Sequence, residues 1–306
     1  MNKNFHKIYS VLTGISGIVV TPFNSKNSIK LCQWDLIIEK AITASVDSLV
    51  VNGNTSEFYS LNHKETYDSA KAVQEKVAGR VPVINGVGRN LKEACETAKF
   101  SREIGIEALM VHQPPDPFVS PRGTVQYVAL IAEAAQDLPI ILYIRNSAIG
   151  EKTILELVNI PNVVGVKWAN TDLPLLAKLI QHTQSQPIVW VCGLAEIWAP
   201  SMYALGAQGF TSGFINIFPE HSVKILQALR KANYEEANKL IDEIREFETI
   251  RSEELNGTNV TGVKAALQLM GHDCGAVRPP GAWPLQAYQQ ERMSNLLKKM
   301  GLLSVC

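Results

Sequence analysis

The chain has 306 residues, 46% hydrophobic and 19% charged, and its 29 basic and 29 acidic side chains cancel. That size admits one barrel-sized domain or two smaller ones, and zero net charge gives no reason to expect nucleic acid or an anionic membrane surface as partner. No apolar run reaches the roughly 18 residues of a membrane span, and the polar residues 1–7 lack the apolar stretch of a secretory signal, so the expected location is cytoplasmic.

Short runs rich in Val and Ile recur at 16–20, 47–51, 81–85, 108–112, 139–143, 163–167, 188–192 and 209–213, their starts 21 to 34 residues apart. Continuous apolarity without strict alternation marks parallel strands covered on both faces. Helical patterns separate them. Asn62 with Glu65, and Asn90 with Glu93, have the spacing of capping boxes with Asn as the cap. Gly79 and Gly105 stand where those helices should close. Further helices are expected near 33–44, 121–136, 151–159, 172–182, 195–205 and 219–231. Eight such units predict a closed α/β barrel, the TIM (β/α)8 fold, over residues 10–232. A doubly wound sheet is the alternative, but no Gly-x-Gly-x-x-Gly follows the first strand. Residues 233–306 lack strand patterns and predict additional C-terminal helices packed on the barrel: a long one from Tyr234, one over 261–270 and one near 286–300.

Five cysteines form no CxxC and no zinc spacing, and six histidines are scattered. Neither predicts a metal site or a disulfide. Cys192 reads as a small buried hydrophobe and His112 as the one histidine at the end of a barrel strand.

In a barrel, polar groups just past each strand converge on one face. Lys167 closes the sixth run. A lysine there can be a surface residue whose stem lies on apolar neighbours. In a dry cavity it instead loses its charge and becomes a nucleophile able to form a Schiff base with a ketone. Tyr143 ends the fifth run and can shuttle the protons that imine formation requires. Asn54, Thr55 and Ser56 form a hydroxyl-bearing turn whose amides can hold a carboxylate. Arg145, two residues past Tyr143, can clamp a second one. Glu57 reads as either a structural or a catalytic carboxylate. Gly193, Ser212 and Gly213 end the last two strands and complete the candidate substrate-binding set.

Gly17-Ile18-Val19-Val20-Thr21-Pro22-Phe23, Gly53-Asn54-Thr55-Ser56-Glu57, Leu142-Tyr143 and Gly165-Val166-Lys167 resemble the dihydrodipicolinate synthase and N-acetylneuraminate lyase family. The resemblance implies a TIM barrel, a homotetramer or homodimer, and a reaction on a small 2-keto acid with no cofactor beyond the covalent imine on Lys167. It assigns Tyr143 to the proton shuttle and Thr55 to the tyrosine relay. The departures bear on substrate. Gln113-Pro114-Pro115 stands where synthases carry a tyrosine pair, and Ala148 where they carry an arginine. Glu57-Phe58-Tyr59-Ser60-Leu61, Tyr143-Ile144-Arg145-Asn146 and Val277-Arg278-Pro279-Pro280 look instead like 5-dehydro-4-deoxyglucarate dehydratase. A sugar-acid dehydratase is therefore the expected activity, with dihydrodipicolinate synthase or another pyruvate aldolase as the alternative. A non-catalytic keto-acid-binding protein is the reading from another class.

Overall fold

The structure, a computed structural model, describes residues 3–303. Eight parallel strands close into a barrel in chain order: β1 (Ile15–Ile18), β2 (Ser48–Val51), β3 (Val83–Val87), β4 (Ala108–His112), β5 (Ile140–Ile144), β6 (Val163–Trp168), β7 (Val189–Cys192) and β8 (Gly209–Ser212), with β8 pairing back onto β1. Every strand residue is buried. One face packs on helices and the other fills the interior, which is why the runs read as apolar throughout.

The covering helices are α2 (Trp34–Thr43), α3 (His63–Val77), α4 (Leu91–Glu103), α5 (Pro121–Ala135), α6 (Glu151–Val158), α7 (Leu173–Thr183), α8 (Ala195–Ala204) and α9 (Pro219–Arg230). At α3 the Asn62 side chain accepts from the Glu65 amide and the Glu65 carboxylate accepts from the Asn62 amide, each at 2.9 Å. At α4 only half of the expected box forms, Asn90 accepting from the Glu93 amide. Helices α10 (Tyr234–Asn256), α11 (Asn259–Leu269) and α12 (Ala287–Lys299) complete the chain, α10 lying against α8 and α9.

Two features escaped the sequence reading. Helix α1 (Lys3–Leu12) precedes the barrel and seats Ile8 and Leu12, one turn apart, among the interior residues Val164, Val189 and Met110. The Leu12 carbonyl oxygen lies 2.0 Å from where a Cβ on Gly209 would stand. Since Gly209 begins β8, α1 closes the floor of the barrel. The second feature is in β6. Ile140 pairs with Val163 but Ile141 pairs with Gly165, so Val164 is the extra residue of a β-bulge. Strict alternation from the helix-facing Val163 would send residue 167 outward as well. Past the bulge, Val166 and Trp168 face the helices and Lys167 faces the interior.

Candidate active site

Lys167 is 3% exposed and lies in register with Tyr143 of β5 on one side and Val191 of β7 on the other. Its amine sits 4.0 Å from the centre of the Tyr143 ring. Burial, helped by the positive charges of Arg145 and Arg251 and opposed by Cys192, brings its pKa down to about 7. Near neutral pH a large fraction of this amine is therefore uncharged. A Cβ on Gly193 would stand 2.9 Å from Lys167 Cγ, so glycine at the end of β7 leaves room for the lysine stem.

Burial pushes the Tyr143 phenol up to about 12, so it keeps its proton. The Asn54 side-chain amide donates to that phenol oxygen at 3.0 Å. This corrects the expected relay: Asn54 holds the tyrosine, while Thr55 presents a buried side chain to the cavity wall beside it. Within the turn the Ser56 and Phe58 amides go to the Gly53 carbonyl and the Glu57 amide to that of Asn54. The Asn54 and Thr55 amides make no such bond among the described residues, which leaves two donors for a carboxylate.

Two expected contacts are absent. Ser56 is fully buried and its hydroxyl donates to the Val19 carbonyl at 2.5 Å, bracing the turn on β1 rather than facing the cavity. Ser212 follows the inward Thr211 and therefore points to the helices, where its hydroxyl donates to Glu196 Oε1 at 2.5 Å. Gly213, one residue on, returns to the cavity wall. Arg145 lies at the rim with an exposed side chain. The loop beneath it is fixed, because Gln113 Oε1 accepts from the Arg145 and Asn146 amides and the Asn170 side chain donates to the Arg145 carbonyl.

His112 does not reach the cavity. Its ring stacks on Phe58 at 4.3 Å, Nε2 bonds the Asn52 carbonyl at 3.0 Å, and burial pushes the imidazole down to about 3, keeping it neutral. Glu57 is likewise structural. One carboxylate oxygen lies 2.6 Å from the buried Lys264 amine of α11, and the other accepts from the Arg278 amide at 2.9 Å. The active-site turn is thereby tied to the C-terminal segment.

A cavity of about 560 Å³ opens above these groups. Its wall includes Tyr59 and Arg251, neither singled out from sequence. Tyr59 is 44% exposed and meets the His112 ring edge-on at 5.6 Å. Its place directly after the turn was the available signal. Arg251 lay on an amphipathic helix with nothing to mark it. An uncharged amine, a protonated phenol and two free amides around one cavity suit attack on a ketone whose neighbouring carboxylate is held.

The sequence model of the dihydrodipicolinate synthetase family matches residues 11–300. A protein of Oceanobacillus iheyensis named probable 5-dehydro-4-deoxyglucarate dehydratase is 30% identical over 295 residues, covering 94% of each chain. At the same identity stands the 4-hydroxy-tetrahydrodipicolinate synthase of Methanococcoides burtonii, covering 95% of this chain and 99% of its own. The solved dihydrodipicolinate synthase from Bacillus clausii superposes with a TM-score of 0.92 at 33% identity, over 96% of this chain and 99% of that one. On that match along nearly its whole length, the chain belongs to the dihydrodipicolinate synthetase family, whose named relatives are lyases.

Proposed function

We propose that the protein is a Schiff-base lyase acting on a 2-keto acid, and specifically a sugar-acid dehydratase of the 5-dehydro-4-deoxyglucarate type. Lys167 attacks the ketone carbon. Tyr143 donates the proton with which the carbinolamine hydroxyl leaves as water, giving an imine. The Tyr143 phenolate so formed takes a proton from the adjacent carbon, turning the imine into an enamine, and returns that proton to the hydroxyl one carbon further on, which the enamine electrons expel as a second water. Hydrolysis then restores the free amine. The amides of Asn54 and Thr55 hold the keto-acid carboxylate, and no cofactor beyond the covalent imine is required.

The observation that carries this reading is the Lys167 amine held 4.0 Å from the Tyr143 ring inside a closed barrel, where burial lowers its pKa to about 7. The dehydratase assignment draws on Arg145 at the rim and on the proline-rich 113–117 loop, which offers no phenol to the cavity. The solved synthases at 33% and 32% identity favour 4-hydroxy-tetrahydrodipicolinate synthase as the second reading. Borohydride reduction in the presence of pyruvate, followed by peptide mapping, should leave a three-carbon adduct on Lys167. Turnover without any such adduct would refute the mechanism. Assayed side by side, ketodeoxyglucarate should be consumed and pyruvate with aspartate semialdehyde should not; the reverse result selects the synthase.

A further inference from the structure

Arg251 differs from Arg145 in being held. It is 4% exposed, yet it lines the cavity that contains Lys167. Its Nε donates to the Asn259 carbonyl at 3.1 Å, Nη2 to the Asn259 side-chain oxygen at 3.1 Å, and Nη1 to Glu248 Oε1 at 2.6 Å. Those bonds occupy three of the five N–H groups of a guanidinium, leaving one hydrogen on each terminal nitrogen. Both terminal nitrogens face Gly213, where a Cβ would stand 2.8 Å from Nη2 and 3.4 Å from Nη1. The same Cβ would lie 3.2 Å from Cζ, against the face of the guanidinium, and Gly213 is itself on the cavity wall, so glycine there leaves that face uncrowded beside the cavity.

The backbone beside Arg251 is independently unusual. Regular helix ends at Ser252, and Glu254, Leu255 and Asn256 all adopt left-handed φ, at 51°, 58° and 66°. Three consecutive non-glycine residues in that region cost on the order of 1–2 kcal/mol each. The Thr258 hydroxyl holds the reversal, bonding the carbonyls of Ile250 and Glu253. Its effect is to fold Asn259 back onto Arg251. Glu248, 7% exposed, fixes the third side of the guanidinium. Strain that orients one buried cation toward a catalytic cavity points to a ligand for that cation.

We propose that Arg251, through the N–H groups left free on its two terminal nitrogens, grips the far carboxylate of a 2-keto diacid whose keto carbon lies at Lys167, and that this contact selects dicarboxylates over monoacids. The inference rests on the 2-keto-acid reading above and assigns to Arg251 the anchoring that the sequence suggested for Arg145. A fixed, partly desolvated fork binds a carboxylate with two parallel bonds and loses little side-chain freedom in doing so.

The test uses non-covalent binding, so that it does not depend on imine chemistry. In a Lys167→Ala background, calorimetric affinity would be compared for 2-oxoadipate and for 2-oxohexanoate, which has the same chain without the far carboxylate. The diacid should bind more tightly by roughly 10- to 100-fold. Adding Arg251→Lys should collapse that preference. So should Gly213→Ala, which keeps the arginine but crowds its face and shifts the guanidinium from its place, and which tests the contact if the arginine variant does not fold. The proposal is overturned if the parent shows no preference, if the preference survives both changes, or if Arg145→Ala abolishes it instead. The borohydride adduct on the unmodified protein reports separately on the catalytic reading.

Discussion

An amine with a pKa near 7 at position 167 has consequences for both rate and stability. The attacking form is the neutral one, so adduct formation with pyruvate should fall about tenfold per pH unit below 7 and level off above it. An unfolded chain would carry that lysine with a pKa of about 10.4. Between about 7 and about 10.4 the unfolded state therefore binds a proton that the folded state does not, and stability contributed by this residue rises with pH across that window. Below 7 the full cost of burying the charge remains. Lys167→Met should accordingly be more stable than the parent at pH 6–7, by on the order of 2 kcal/mol or more, with the gap closing toward pH 10. Urea titrations across that range would show it, and a destabilised variant at pH 6 would contradict the account. The placement of Lys167 and Tyr143 at neighbouring strand ends was legible because each closes a short apolar run. Orientation was less so. Ser56 and Ser212 have the right chemistry and face the wrong way, and Asn54 rather than Thr55 meets the phenol.

Among the elements, helices with polar caps and glycine stops were placed within a residue or two, since those signals are local. Pairings between distant elements leave no local signal. The brace from Glu57 in the β2–α3 turn to Lys264 in α11 spans most of the chain, and Lys264 reads in the sequence as an ordinary helical lysine. With Lys264 fully buried over the Phe23 ring, its removal strands a desolvated carboxylate. Lys264→Met should cost about 3–5 kcal/mol in a denaturant titration. Glu57→Gln combined with Lys264→Met should cost less than Lys264→Met alone, because the uncompensated charge is gone. A loss near zero for the single change would mean the pair is solvated.

For the whole molecule, the eight-fold repeat of strand and helix determined the architecture, because parallel strands covered on both faces have few ways to close. The floor was not legible: ten residues with a polar beginning, read alone, do not announce that Ile8 and Leu12 fill the end of a barrel. Ile8 is wholly buried there. Ile8→Ala should lower stability by roughly 2–4 kcal/mol through the cavity it leaves, measurable as a drop in the denaturation midpoint, whereas an unchanged midpoint would mean the floor collapses to fill the gap.

The extra residue in β6 makes that strand tolerant of a change in length at one point. Excising Val164 would leave a regular strand with the same pairs on either side, Ile140 with Val163 and Ile141 with Gly165, so Val166 and Trp168 would still face the helices and the amine the cavity. Such a deletion variant, if it folds, should still give a borohydride adduct at the lysine. Loss of the adduct would mean that the local twist of the bulge, and not the pairing alone, aims the amine. A codon lost at that point would thus spare the amine that replacing Lys167 removes.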